Sequence, residues 1–227
     1  MLDGRRRQTA MLMLMPAALV GASLAGCTSS SSHGASAALS AAKGDSFSAS
    51  KLRAALLTRV NGVGASAAAA SGGYTAMAAQ AAGGAPKACA AAANGLDSGV
   101  LAGTTAASVT FKVGSNEVSE LIAAAPGTAA ASALAGRLPA SCVRYKATVD
   151  GKSVTYRVTE SALTGIGKQA KVMNATSAAA GSQTRWWLAY RGTGFVGAVT
   201  VAGPNASSAA VRQLAQQAYA YAAKSLS

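Results

Sequence analysis

The sequence has few of the residues that carry most enzyme chemistry. Of its 227 residues, 7 are acidic, 5% are aromatic and one, His33, is histidine. A Ser-His-Asp or Cys-His centre needs a histidine inside the fold, whereas His33 lies in a stretch of Ser, Ala and Gly. The sequence also shows no nucleophile elbow and no phosphate-binding glycine loop. We therefore expect a protein that is not an enzyme and that uses no cofactor.

One pair of carboxylates could still do acid-base work. Glu117 and Glu120 are three residues apart in the segment 116–124, which we predict to be a helix. This spacing would place both side chains on one side of the helix. Negative charge in a first turn suits the helix dipole, so we interpret the pair as a solvated helix start.

Cysteine is also scarce, with Cys27, Cys89 and Cys142 making up the whole set. Cys89 and Cys142 have no histidine near them, so their spacing does not indicate a metal site. If Cys27 is modified, these two remain as an even pair. In an exported chain they would lie in an oxidising compartment, where a disulfide forms. We predict a Cys89–Cys142 disulfide; two free buried thiols are the alternative.

The N-terminal region accounts for Cys27. Three arginines at 5–7 precede an apolar run, 11–20, and then small residues up to Leu24-Ala25-Gly26-Cys27. This is the pattern of a secretory signal, and the apolar run is shorter than the ~20 residues that span a bilayer. The last four residues resemble the bacterial lipobox, which implies a signal peptide over 1–26 and a diacylated Cys27, with palmitate expected among the acyl chains. An ordinary secretory signal with an incidental cysteine is the alternative.

Positive charge is in excess. The formal net charge is +13, and it falls to +11 when residues 1–26 are removed, because three arginines and one aspartate leave with them. The basic residues are spread singly and form no cluster of the kind found in nucleic-acid-binding proteins, so no nucleic acid is expected. Spread charge on an exported protein suggests anionic lipid or an acidic wall polymer, although a merely solvated basic surface explains it equally well.

The chain divides into the signal, a flexible Ser/Ala/Gly-rich tether over 27–50 and one domain over 51–227. We predict α+β architecture with an antiparallel sheet of about five or six strands and helices packed on one face. Asp150-Gly151 between two alternating runs predicts a tight hairpin. Predicted helices cover 51–58, 116–124, 128–138 and the segment after Asn205. Asn205 is the expected N-cap of the last of these helices, and Asn61-Gly62 would end the helix at 51–58. Predicted strands cover 106–113, 141–149, 152–160, 168–177, 183–191 and 195–201.

Several segments carry a family resemblance. These are the opening Lys51-Leu52-Arg53-Ala54-Ala55-Leu56-Leu57, then Cys89, Val109-Thr110-Phe111 leading into Asn116-Glu117-Val118-Ser119-Glu120-Leu121, Cys142, the antiparallel strands and the helix after Pro204. Over roughly residues 50–227 the chain resembles the actinobacterial sensor-domain lipoproteins, which are similar to the extracellular domain of the mycobacterial kinase PknH. The resemblance implies a central cleft and a ligand-sensing or partner-binding role without catalysis. We expect a free lipoprotein without an attached kinase domain, and the chain has one cysteine pair where the extracellular domain of the kinase has two, so kinase signalling is not carried over.

The segment Arg185-Trp186-Trp187-Leu188-Ala189-Tyr190-Arg191 is the most unusual in the domain. In a strand, Arg185, Trp187 and Arg191 share one face. An aromatic ring beside two guanidinium groups could stack on a sugar or bind an anionic head group, so these three are the candidate ligand contacts. The alternative is that Trp187 packs under a helix of a sheet that is covered on both sides.

Together these features predict an extracytoplasmic lipoprotein, held on the cell membrane by a lipid anchor, that binds a small hydrophobic or anionic ligand or a partner. The alternative is a structural envelope protein whose basic surface docks on acidic wall polymer or anionic lipid.

Overall fold

The computed structural model describes residues 47–82, 89, 92–149, 151–178 and 184–227. The helices are α1 (Ala49–Ala54), α2 (Tyr74–Ala81), α3 (Ala129–Ala135), α4 (Ala140–Val143) and α5 (Ser208–Leu226), with a short 3-10 helix at Ala92–Asn94. The strands are β1 (Arg59–Val60), β2 (Val63–Gly64), β3 (Ala70–Gly73), β4 (Thr105–Val113), β5 (Asn116–Ala124), β6 (Arg144–Val149), β7 (Lys152–Leu163), β8 (Gln169–Thr176), β9 (Thr184–Arg191) and β10 (Phe195–Gly203).

Eight of the strands form one antiparallel sheet in the order β3-β4-β5-β10-β9-β8-β7-β6, and β1 and β2 form a separate two-stranded ribbon. Most neighbours in the sheet are also neighbours in sequence. The exception is β10, which lies between β5 and β9 and joins the two halves of the sheet.

Both faces of the sheet are packed. In β9, Leu188 and Tyr190 join a core that includes residues of α1 and α5. Trp187 and Ala189 alternate with them and point to the opposite side. Ala189 packs in a core with residues of α2 and α3, whereas Trp187 packs in a core that includes Ala93 of the 3-10 helix. We call these two sides the α5 face and the disulfide face.

The predicted α+β class, with its antiparallel sheet, is confirmed. Two details of the prediction were wrong: the main sheet has eight strands, and helices cover both faces. The physical reason lies in strands such as β10, whose nine residues are all buried. A strand without a polar side needs cover above and below.

The segment 116–124 is a strand and not the predicted helix. It pairs in register with β4 on one side and β10 on the other, so that Lys112 lies opposite Glu117 and Phe111 lies opposite Val118. The apolar spacing in this short segment fits helix and strand alike, and these long-range pairings decide between them.

Two predicted helix boundaries were also wrong. α1 ends at Ala54, and Asn61 and Gly62, with φ of 51° and 82°, instead form the turn between β1 and β2. Two successive positive φ values are the requirement of a two-residue hairpin turn. At α5, Ser207 is the N-cap, because its side chain accepts a hydrogen bond from the backbone N–H of Ala210. Asn205 instead donates its backbone N–H to Asn116 Oδ1.

The predicted disulfide is confirmed. Cys89 and Cys142 are bonded across a sequence separation of 53 residues, and both are buried on the disulfide face. Cys142 lies in α4 and not at the start of a strand, as the prediction had it. The link fixes the segment after α2 to the helix that precedes the edge strand β6.

The signal peptide, Cys27, His33 and the tether up to residue 46 lie outside the described residues, as does Asp150 of the predicted hairpin. Lipidation of Cys27 therefore stays a prediction. Within the described residues, no helix is both long and apolar enough to cross a bilayer.

Candidate functional site

A half-open groove of about 760 Å³ lies at the end of the sheet where β9 turns into β10. The start of α1, the last two turns of α5 and two loops of the sheet enclose it. Its lining residues are Phe47, Ser48, Lys51, Pro126, Gly127, Thr193, Gly194, Phe195, Tyr219, Ala223, Leu226 and Ser227. This volume is in the range of small-molecule sites, which occupy roughly 300–1,000 Å³.

The floor of the groove is fixed by backbone hydrogen bonds. Ala125 at the end of β5 donates its N–H to the carbonyl of Gly194, at 2.9 Å, and Gly192 donates to the carbonyl of Phe195 at the same distance. Gly194 has a φ of 77°, which a glycine adopts without strain. These bonds hold the β9–β10 turn against the loop that follows β5.

Aromatic rings form the walls of the groove. The rings of Phe195 and Tyr219 are stacked, with centroids 6.3 Å apart, and Tyr219 also meets Tyr190 edge-on at 5.8 Å. Phe47 also lines the groove and packs against the same core. Rings that pack on one another lose little freedom when a ligand binds, which favours a preformed apolar site.

Among the described residues that line the groove, Lys51 alone has a cationic side chain. Its Nζ lies 5.2 Å from the centre of the Phe47 ring, a cation–π arrangement that keeps the charge at the mouth of the groove. The other polar side-chain groups in the lining of the groove are the hydroxyls of Ser48, Thr193, Tyr219 and Ser227, and none of the described lining residues has an acidic side chain. The arrangement suits an elongated apolar molecule with one anionic end.

The predicted ligand contacts lie elsewhere. Arg185 and Trp187 are on the disulfide face, where the guanidinium carbon is 5.9 Å from the centre of the Trp187 ring. Trp187 is only 2% exposed and packs beside the disulfide, which is the buried alternative considered above. Arg185 donates to the carbonyl of Ala82 at the end of α2, and burial lowers its pKa. Both side chains thus stabilise the packing of this face.

Arg191 is not brought together with the other two. It lies six residues beyond Arg185 and four beyond Trp187 on β9, about 20 Å and about 13 Å away at the usual rise of a strand. Its Nε donates to Gln169 Oε1 on the neighbouring strand, at 3.2 Å. The proposal that these three residues bind a ligand stays untested, but they do not form one site in this structure.

The two carboxylates considered for acid-base work are separated by the sheet. Glu117 and Glu120 differ by an odd number of positions in β5, so their side chains point to opposite faces. Glu120 is fully buried under α1, where its Oε2 accepts the backbone N–H of Leu57 at 2.8 Å. Desolvation raises its pKa to about 8, and the hydrogen bond from Leu57 lowers it only in part.

Comparison with known proteins adds little to what the geometry of the groove shows about function. No protein-family model matches the chain, and no curated protein matches it. Among solved structures, the chain is similar to the extracellular domain of PknH from Mycobacterium tuberculosis. The sequence identity is 14% and the TM-score is 0.42, over 56% of this chain and 70% of that one. The structural similarity to this extracellular domain, which the sequence also resembles, is therefore weak. The function has to be argued from the site.

Sequence reasoning missed the groove because its residues come from distant segments. Phe47 fell within the predicted tether, although it occupies the position before the N-cap Ser48, where a large apolar side chain commonly packs back on a helix. An apolar residue directly before a helix N-cap was thus the sequence signal that could have placed Phe47 in the domain. No sequence signal brings Phe47 to Tyr219, which is 172 residues further along the chain.

Among the described residues, no three His, Cys, Asp or Glu side chains are grouped closely enough to hold a metal ion.

Proposed function

We propose that this protein is a non-catalytic binding protein of the cell envelope whose groove takes a single-chain anionic amphiphile, such as a fatty acid. The observation that carries the proposal is the groove itself, with its apolar walls of Phe47, Phe195, Tyr219 and Leu226 and the one ammonium group of Lys51.

The envelope location rests on two features. The buried Cys89–Cys142 disulfide is of the kind that forms and persists in oxidising compartments outside the cytoplasm. The N-terminal pattern up to Cys27 is that of an exported and lipidated chain. The lipid anchor would hold the domain beside a membrane, which is a source of single-chain amphiphiles.

The apolar chain of the ligand would lie against the stacked rings of Phe195 and Tyr219. Phe195 is 2% exposed and Leu226 is 6% exposed, so both already belong to the core, and a bound chain would extend that core outward. Each buried methylene contributes about 0.8 kcal/mol before the cost of ordering the ligand. Affinity should therefore rise with chain length until the groove is filled.

The anionic head would pair with Lys51. This residue is exposed at the mouth, so the pair would be partly screened by water and would contribute modestly to affinity. The charge nevertheless sets the orientation, because Lys51 has the one cationic side chain among the described lining residues. A carboxylate should thus be preferred over an alcohol of the same length.

The test is titration of residues 28–227 with dodecanoate and with dodecanol by isothermal calorimetry. The wild-type chain should bind dodecanoate more tightly than dodecanol. Lys51→Met should remove this preference and weaken dodecanoate binding about threefold, which is about 0.7 kcal/mol. Ala223→Trp should fill the groove and weaken both ligands.

Two matched variants serve as controls. Arg53→Met removes a cation from the same helix but outside the groove, and Ala220→Trp adds the same ring to an exposed position of α5. Neither should change binding of dodecanoate. If Ala223→Trp leaves the affinity intact while the protein stays folded, the groove is not the binding site and the proposal fails.

A further inference from the structure

Part of the α5 face is not covered by any helix of the described residues. α1 and α5 pack over β3, β4, β5, β9 and β10, whereas the outer strands β6 and β7 extend beyond them. The residues of β6 and β7 that point to this side are exposed or half-buried, and all of them are polar up to Ser161. We call this area the open face; it consists of Arg144, Lys146, Thr148, Ser153, Thr155, Arg157, Thr159, Ser161, Asn174 and Thr176.

Two arginines lie opposite each other on the open face. The strand register pairs Arg144 of β6 directly with Arg157 of β7, and both are exposed. Directly opposed residues in an antiparallel pair have Cβ atoms about 5 Å apart, and like charges at this distance destabilise the sheet. Lys146 follows on the same side of β6, about 6.6 Å from Arg144 at the usual strand rise.

No described acidic residue relieves this repulsion. Glu120 is buried under α1, and Glu160 points to the disulfide face, where it forms an ion pair with Lys171 at 3.6 Å. Asp97 and Glu117 also lie away from the open face: Asp97 caps its own loop beside Gly99, and Glu117 is on β5, four strands away in the sheet order. Three cations on neighbouring strands are therefore left without a described counter-ion.

Protection of the sheet edge explains only part of this pattern. Charged side chains on an edge strand prevent pairing with other chains, and this accounts for Arg144 and Lys146 of β6. Arg157 lies one strand further in, where such protection is not needed. Two neighbouring guanidinium groups are, however, well suited to bind one carboxylate or phosphate group through several hydrogen bonds.

The surroundings of the cations indicate what else the ligand carries. Thr159 donates to Asn174 across the strands, so hydroxyl and amide groups form a connected polar row beside the arginines. Trp186 lies opposite Asn174 at the inner margin of the open face and is half-buried. Hydroxyl, amide and indole groups next to cations provide the hydrogen bonds and ring contacts that sugars use.

We propose that the open face binds an acidic glycan, a sugar polymer with carboxylate or phosphate groups, through Arg144, Lys146 and Arg157. The glycan's anionic groups would neutralise the opposed arginines, and its hydroxyl groups would bond to the polar row. This surface is separate from the groove and does not depend on the amphiphile.

The test uses residues 28–227 at low ionic strength, where surface charge is least screened. The probes are polygalacturonate, its neutral methyl ester, polyphosphate of matched charge and vesicles that contain an anionic phospholipid. We expect polygalacturonate to bind most tightly and its methyl ester to bind poorly. The double variant Arg144→Gln/Arg157→Gln should weaken polygalacturonate binding by at least about tenfold, because it removes both guanidinium forks.

The matched control is Arg53→Gln/Arg59→Gln, which removes the same charge from exposed positions of α1 and β1. It should change polygalacturonate binding little. In the absence of ligand, Arg144→Gln/Arg157→Gln should also raise the melting temperature, because the repulsion across β6 and β7 is gone. This second readout shows that the variant folds, and it separates a binding role from a structural one.

Three results would overturn the proposal. An equal loss of affinity in both double variants would mean that total charge alone attracts the polymer. Polyphosphate that binds as tightly as polygalacturonate would mean that the sugar is not recognised. Vesicles that bind more tightly than either polymer would identify the open face as a membrane-docking surface instead.

Discussion

Tyr190 crosses the sheet directly over Gly197, its partner in the register of β9 and β10. A Cβ atom at position 197 would lie 2.5 Å from the Tyr190 hydroxyl oxygen and close to its ring carbons. The ring can lie flat on the backbone of β10 only because residue 197 has no side chain. In that position Tyr190 also meets Tyr219, one of the walls of the groove.

Gly197→Ala should therefore destabilise the protein by about 1–3 kcal/mol, the usual cost of overpacking a filled core. Urea unfolding measures the loss. Gly64→Ala is the control, since a Cβ there meets no atom within 4 Å and the substitution should change stability by less than about 0.5 kcal/mol. Equal stability of the two variants would mean that Tyr190 does not hold this position.

Glu120 should make stability fall with rising pH. Its pKa is raised to about 8 by burial, whereas an unfolded chain has a glutamate pKa of about 4.3. Between these values the native state holds a proton that the unfolded state has released, so the free energy of unfolding falls by up to about 1.4 kcal/mol per pH unit. Below this window the contribution is complete, and above pH 8 the loss levels off.

Glu120→Gln keeps the shape and removes the titration. Its stability should exceed that of the wild-type chain at pH 8 and match it near pH 4, as measured by urea unfolding across the range. Glu117→Gln, an exposed position of the same strand, is the control and should follow the wild-type curve. Parallel curves for wild-type and Glu120→Gln would show that Glu120 does not titrate in this window.

The Cys89–Cys142 disulfide should contribute substantially to stability. It joins residues that are 53 positions apart, and closing a loop of that size in the unfolded chain corresponds to about 4 kcal/mol in the chain-entropy model. Cys89→Ala/Cys142→Ala should lower the free energy of unfolding by that order. A reducing agent should destabilise the wild-type chain and leave the double variant unchanged, whereas no effect on either would contradict the prediction.

Arg185→Met distinguishes structural support from ligand contact. Its guanidinium group donates to the carbonyl of Ala82 and lies over Trp187, so its loss should cost about 1–3 kcal/mol and loosen the end of α2. Thermal unfolding measures this effect, and dodecanoate binding in the groove should not change. Weaker ligand binding without a loss of stability would favour the contact role predicted from the sequence.

Much of the fold could be predicted from the sequence because the signals are local. Alternating apolar residues identified the strands that became β6 to β10, and the apolar stripe of Val211, Leu214 and Ala218 fits the observed inward side of α5. The disulfide followed from counting cysteines, since an even pair remained once Cys27 was assigned elsewhere. The strand and helix predictions required no knowledge of a distant partner, and the pairing of Cys89 with Cys142 required only that no third cysteine compete.

The tertiary structure decided what depends on such partners. Residues 116–124 became a strand because β4 and β10 supply their hydrogen bonds, and Trp187 became a core residue because the disulfide face is covered. The groove exists only where Phe47 and Tyr219 line the same cavity, and the arginine pair exists only in the register of β6 and β7. The sequence by itself determined most of the element types and the covalent link, through local periodicity and composition. Faces, registers and sites were set by which long-range pairings bury the most apolar surface.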